Sequence, residues 1–264
     1  MRRLLDFALA QAPGLYAAIL KRRRQVNVEK LVFLAVVEKG DVVFDVGANL
    51  GYYTLLFSHL AGRRGRVHAF EPIPGTFAAL AAGLAREWRF DNITLNECAL
   101  GESAGSFPFF VPDADHGQAS MARHAAGSWC RPREVRSYDC RVRTLDGYAQ
   151  ETGARPSFVK LDVEGAELLV LRGGTATLQA CRPLLHLEVN PDWTRSHRYA
   201  PPEIVRFLTA LGYSRFLLVD REVRPLAGPE AALAALDALA GSANLLCAVP
   251  GLHDARLSRL DRRA

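Results

Sequence analysis

Lysine is scarce in this 264-residue chain: of 33 basic residues only Lys21, Lys30, Lys39 and Lys160 are lysines. The net charge of +5 is spread over scattered arginines, and only "KRRR" (21–24) and "RLSRLDRRA" (256–264) gather cations. Charge so diffuse argues against a nucleic-acid footprint, so no nucleic-acid partner is expected. The five cysteines, Cys98, Cys130, Cys140, Cys181 and Cys247, form no C-x-x-C pair and no zinc-ligand spacing. That excludes a disulfide framework and a structural zinc site, and reads as reduced thiols in a cytoplasmic protein. A long apolar run is missing too. The opening "MRRLLDFALAQAPGLYAAILKRRR" is interrupted by Asp6, Gln11, Pro13 and Gly14 and carries no small-residue cleavage site, which argues against a membrane span or a secretory signal. It reads as a surface helix whose terminal cations favour the helix dipole and allow a peripheral membrane contact. No internal repeat and no low-complexity linker divides the chain.

What is present is ordinary globular composition, 49% hydrophobic and 23% charged, at a length that suits one large α/β domain. "VNVEKLVFLAVVEKGD" has helical spacing and stops near Gly40. Strand and helix then alternate: "VVFDVG", "YYTLLFSHLAG", "RVHAFEP", "TFAALAAGLAREW", "ITLNECAL", and later "FVKLDV", "AELLVLRGG", "LLHLEVN", "PEIVRFLTALG" and "SRFLLVD", with a last strand "NLLCAVP". The alternation predicts a mostly parallel sheet of seven strands covered by helices on both faces, with an antiparallel edge. Residues 101–143 break the rhythm with Gly, Pro, Asp and Ser between strand-like ends, as a lid or binding loop does; His116 could enter a site from there, although a loop histidine is more often solvated. The expected organisation is a helical extension over 1–39, the main domain over 40–250 with that insertion, and a basic tail over 251–264.

"FDVGANLGYYT" (44–54) places a carboxylate, Asp45, at the end of the first strand, followed by Gly47, Asn49 and Gly51. A dinucleotide site requires G-x-G-x-x-G, and the third glycine is absent. A ligand carrying an amino acid fits better. Its ammonium would meet Asp45 or turn carbonyls, and its carboxylate the N–H groups that open the next helix. The second strand ends in Glu71, where an acid accepts hydrogen bonds from ribose hydroxyls. Together these features describe an adenosyl amino acid, of which S-adenosylmethionine is the common example.

At this point the sequence resembles a known family. "DVGANLGYYT", "FEPIP" and "VKLDVEGAE", with "LLHLE" downstream, look like the FkbM-type S-adenosylmethionine-dependent methyltransferases, and the resemblance runs from about Gly40 to Val249. It implies a Rossmann-like class I methyltransferase fold, with Asp45, Gly47, Asn49 and Gly51 around the methionine moiety, Glu71 on the ribose and the turn at Cys98 beside the adenine. "RTLDGY" (143–148) looks like a further family block. The first 35 residues and 113–136 match no block, and substrate choice is expected there.

In "FVKLDVEGAE" strand alternation puts Lys160 and Asp162 on one face; in "LLHLEVN" it groups His186, Glu188 and Asn190. If the two strands are neighbours, Lys160, Asp162, His186 and Glu188 converge beside Asp45. A lysine inside an apolar strand is costly unless paired, so Lys160 is expected to bond one of the acids. One reading is a structural ion pair; the other is a base that takes the proton from an acceptor hydroxyl, with Asp162, nearest the cofactor's methyl, ahead of Glu188 and His186. Glu164 and Glu167 read as helix-start acids. No dedicated metal cage is seen. The resemblance implies O-methylation of a small molecule, sugar or secondary-metabolite intermediate. The alternatives are a nucleic-acid methyltransferase, whose base-flipping turn "NPDW" (190–193) resembles only weakly because it follows the fifth strand and lacks a second proline, so that it reads as a helix-entry or substrate-side loop, and a non-catalytic nucleotide-binding scaffold docking through the basic N-terminal helix.

Overall fold

A computed structural model describes residues 15–16, 27–86, 91–112, 119–122 and 135–263, the side chains of 261–263 excepted. His116, Cys130 and the "KRRR" cluster lie outside the described residues. In chain order the elements are α1 (Val28–Val36), β1 (Val42–Val46), α2 (Tyr52–Ala61), β2 (Arg66–Phe70), α3 (Pro74–Ala85), β3 (Ile93–Asn96), β4 (Ala99–Leu100), β5 (Gly105–Pro112) and β6 (Val135–Arg143). There follow α4 (Leu145–Thr152), β7 (Phe158–Leu161), α5 (Glu167–Arg172), α6 (Thr175–Cys181), β8 (Leu184–Val189), α7 (Pro191–Ser196), α8 (Pro202–Ala210), β9 (Arg215–Val219), β10 (Val223–Pro225), α9 (Pro229–Asp237), β11 (Ala243–Ala248) and α10 (Asp254–Arg263).

The main sheet has eight strands, in the order β10-β9-β11-β8-β7-β1-β2-β3, not the seven expected. The eighth is β10, a three-residue antiparallel edge strand that turns back on β9. The antiparallel β11 lies inside the sheet, between β8 and β9. Alternating side chains send Phe44, Val46, Val159, Leu161, Leu185 and Leu187 into the core under α4 to α6, α8 and α9. Val43, Phe158 and Leu184 go to the opposite core, under α1, α2 and α10. Both faces are therefore dry, and a polar side chain on either needs a partner.

Two of the expected appendages are packed elements. From Leu31 to Val36 α1 is buried throughout, as part of the second core. The expected basic tail forms α10, which buries Leu257 and Leu260 against α1. Arg256 there bonds both oxygens of the buried Asp41, at 2.7 and 2.9 Å. The stretch from 101 to 143 is also more regular than its composition implied. β5 and β6 pair antiparallel over eight residues each and join β4 in a separate three-stranded sheet.

Candidate active site

The turn after β1 is built by backbone demands. Gly47 has φ +79°, and a Cβ there would stand 1.8 Å from the Asp162 carbonyl oxygen, so only glycine fits. Asn49 is also left-handed, at φ +49°, a conformation asparagine tolerates better than most residues. The N–H groups of Gly47 and Ala48 both donate to the Phe70 carbonyl, fastening the turn to the tip of β2. Beneath it Asp45 is completely buried and is not among the residues that line the cavity. The reason is register: its side chain points to the α2 side, where Thr54 donates to Oδ2 at 2.6 Å and Lys160 Nζ lies 3.8 Å from Oδ1.

Glu71, at the end of β2, is the second fixed point. Its Oε1 accepts from the Ile73 N–H and its Oε2 from the Asn49 N–H, each at 3.0 Å. One carboxylate thus joins both strand-end turns, and each oxygen keeps lone-pair capacity for a further donor. Burial pushes its pKa up to about 7, against the pull of those two N–H groups. A cavity of about 350 Å³ opens here, within the range of small-molecule sites. Glu71, Gly47, Asn49, Asp162, Glu164 and Glu188 give it polar walls; Pro72, Ala99, Leu100, Phe109, Met121 and Trp193 give it apolar ones.

β7 lies between β1 and β8, so the predicted convergence of side chains occurs. Asp45, Lys160 and His186 stand in one row across the three strands. Lys160 is 2% exposed, and its ammonium donates to Asp162 Oδ2 at 3.0 Å. Burial alone would lower the Lys160 pKa, but Asp162, Asp45 and Glu29 outweigh it and hold the group charged. Asp162 is the mirror case: burial pushes its carboxyl up, and the Lys160 charge with a hydrogen bond from Glu188 brings it below the ordinary value. Glu188 is pushed up to about 9 by burial and by the Asp162 charge, so at neutral pH it is a protonated donor to an ionised Asp162.

Of the residues singled out from sequence, Gly47, Asn49, Glu71, Asp162 and Glu188 meet on the cavity wall. Gly51, Cys98, Lys160 and His186 do not line it. Cys98 is in the core, while its neighbours Ala99 and Leu100 reach the cavity. His186 packs edge-on against Phe33, with Nδ1 3.9 Å from Glu29, and burial lowers its pKa to about 3. It is therefore a neutral ring that does not line the cavity. Glu164, expected to begin a helix, stands in the turn at φ +53° and lines the cavity. Glu167 does open α5, yet its Oε1 accepts from Val163 and Gly165 N–H and clamps the same turn. Asn190 caps α7 by accepting from the Asp192 and Trp193 N–H groups, which makes "NPDW" a helix start that delivers Trp193 to the wall.

Sequence reasoning missed Glu29 and Tyr53. Tyr53 donates to Glu29, and Lys160 sits 5.5 Å from the Tyr53 ring centroid, so α1 supplies a third acid beside the lysine. No local pattern marks a contact spanning 24 residues. Phe109 and Met121 were hidden in the same way, by the composition of the insertion. Among the described residues no group of three or more His, Cys, Asp or Glu is placed to hold a metal ion, and no helix is long and apolar enough to cross a membrane.

An adenosyl amino acid fits these groups: a strand-end acid with acceptor capacity for ribose hydroxyls, an apolar wall beside it for a purine, and a glycine turn that brings backbone close. Comparison with known proteins agrees. The methyltransferase FkbM domain family matches residues 45–215. The 31-O-demethyl-FK506 methyltransferase FkbM of Streptomyces tacrolimicus is 47% identical over 76 residues, 28% of either chain. The hexuronic acid methyltransferase AglP of Haloferax volcanii is 30% identical over 161 residues, 58% of this chain and 59% of its own. The chain thus spans well under two thirds of the length of these two relatives. Among solved structures, the methyltransferase FkbM of Methylobacillus flagellatus KT superposes with a TM-score of 0.48 at 16% identity, over 93% of this chain and 59% of that one.

Proposed function

The chain belongs to the FkbM methyltransferase family, and on that premise we propose that it transfers a methyl group from S-adenosylmethionine to a hydroxyl oxygen of a small molecule, sugar or secondary-metabolite intermediate. Its fold is the Rossmann-like class I methyltransferase fold, with eight strands in the main sheet. One observation carries the reading: Glu71 and the Asp162–Glu188 carboxyl pair open onto the same cavity. The first suits a ribose, the second a hydroxyl donor. Two relatives named for 31-O-demethyl-FK506 and for hexuronic acid support an oxygen acceptor of small-molecule or sugar class.

Glu71 would hold the ribose, Gly47 and Asn49 the methionine end, and Pro72, Ala99, Leu100 and Phe109 the adenine. When bound, the cofactor supplies a methyl group already activated by its sulfonium. The chain's task is then alignment and exclusion of water, which can supply much of the rate. Asp162 accepts a hydrogen bond from the incoming hydroxyl and orients its oxygen. Asp162 would hold the proton that this hydroxyl gives up when its oxygen takes the methyl and the methyl–sulfur bond breaks, and Lys160 and protonated Glu188 keep that carboxylate in place and ionised beforehand. Because those partners stabilise the anion, Asp162 is a modest base, and the proton transfer contributes less than the positioning.

Incubating the protein with methyl-labelled S-adenosylmethionine and a cellular metabolite extract tests the proposal. Label is expected in a product that mass spectrometry identifies as a methyl ether, whereas a methyl ester marks a carboxylate acceptor and contradicts the proposal. Label on nitrogen, sulfur or nucleic acid, or on nothing, contradicts it.

A further inference from the structure

The cavity is closed on one side by chain that the motifs do not include. Ala119 and Met121 both line it, and Ser120 between them is completely buried. The Ser120 backbone pairs with Phe110 of β5 through two hydrogen bonds, at 2.8 and 3.1 Å. Its hydroxyl donates to the Glu164 carbonyl at 3.0 Å, with His197 Nε2 3.3 Å away, and accepts from the Ala122 N–H at 3.3 Å. Glu164 belongs to the turn leaving β7, two residues past Asp162. One side chain therefore ties the inserted three-stranded sheet to the β7 turn, and the two tied pieces wall the same cavity.

Which half of a bound cofactor this wall covers follows from Glu71. With the ribose on that carboxylate, the base extends along the apolar residues beside it, Pro72, Ala99, Leu100, Phe109 and Met121. A thioether such as that of Met121 makes favourable contact with an aromatic ring. The turn that Ser120 grips is held independently from below: Glu167 accepts from two of its N–H groups, and Tyr199 donates to the Gly165 carbonyl at 2.8 Å. Ser120 thus joins Ala119 and Met121 to a turn that Glu167 and Tyr199 also hold.

We infer that Ser120 is a positioning residue whose hydroxyl, bonded to the Glu164 carbonyl, holds Ala119 and Met121 against the adenosyl half of the bound cofactor and sets the rate at which the cofactor leaves. The inference rests on the proposed cofactor site, and its test needs no acceptor. Dissociation of S-adenosylhomocysteine from the full chain is measured by stopped-flow in wild type, Ser120→Ala, Ser120→Thr and Met121→Ala. Ser120→Ala should release the nucleoside about tenfold faster, the value of one buried hydrogen bond of about 1.4 kcal/mol. Ser120→Thr, which keeps the hydroxyl, should stay within about threefold of wild type, a rescue that a purely structural role of the side-chain volume would not give. Should Ser120→Ala not fold, Met121→Ala removes the covering side chain with the hydroxyl bond intact and should also speed release. Alanine and threonine variants that behave alike, or a folded alanine variant that releases at the wild-type rate, overturn the inference while leaving the cofactor site standing. A wild type that binds no S-adenosylhomocysteine overturns the cofactor site and this inference with it.

Discussion

Lowering the pH from 8 to 6 should weaken S-adenosylmethionine binding about tenfold through Glu71 alone. Burial holds this carboxyl up to about 7 in the ligand-free protein. Ribose hydroxyls donate hydrogen bonds, so they bind the carboxylate and not the acid, and binding below that pKa must release a proton. The apparent Kd scales as one plus the ratio of protonated to ionised Glu71, which is about 10 at pH 6 and about 0.1 at pH 8. The effect on folding has the opposite sign. A folded pKa raised from 4.5 to about 7 means that the native state binds the proton more tightly than the unfolded chain, so this group's contribution to stability declines as pH rises through that window. Isothermal calorimetry at each pH, in two buffers of different ionisation enthalpy, reads both the affinity and the proton released. Glu71→Gln should bind about 10- to 100-fold more weakly at pH 8, as expected for lost hydrogen bonds to a charged acceptor, and should show no pH dependence. A pH dependence that survives in Glu71→Gln would refute the reasoning and move the titration to Glu167, the other carboxyl raised to about 7.

Replacing Lys160 by Met leaves Asp162, Asp45 and Glu29 facing one another without their cation. The loss should be about 3–5 kcal/mol near pH 8 by urea unfolding, and smaller near pH 5, where the freed carboxylates take up protons; a loss below about 1 kcal/mol would show the lysine to be dispensable. Gly47→Ala must displace the turn, because its Cβ would meet the Asp162 carbonyl at 1.8 Å, and should abolish measurable cofactor binding by calorimetry. Asp162→Asn keeps the shape of the acceptor site and removes its charge. If Asp162 takes the hydroxyl proton, turnover should fall about 100-fold or more with cofactor affinity little changed, whereas unchanged turnover would exclude it as the base.

The parts of the site that could be read from sequence are those fixed by local chain geometry. Gly47, Asn49 and Glu71 sit where a strand-end turn must put them, and strand periodicity alone grouped Lys160 with Asp162 and His186 with Glu188. The periodicity gave the face but not the depth. Asp45 and Glu188 share that face, yet Asp45 is sealed under the turn by Thr54 while Glu188, nearer the strand tip, reaches the cavity. The strand-like ends of the insertion are β5 and β6; what the composition did not show is that they pair with each other and with β4 as a separate sheet, because that pairing joins segments distant in sequence. Strand number failed for a related reason: β10 is three residues long and exists only as the return of β9. Glu29, Tyr53, Ser120 and Met121 carry no local signal at all, since each acquires its place through contacts between segments distant in sequence.

The most direct test of the account is a crystal structure of the protein grown with S-adenosylhomocysteine. The nucleoside should occupy the cavity at the tips of β1 and β2, with both ribose hydroxyls within hydrogen-bond reach of Glu71 and its base against Leu100 and Phe109. A nucleoside bound elsewhere, or with its ribose turned away from Glu71, would contradict it.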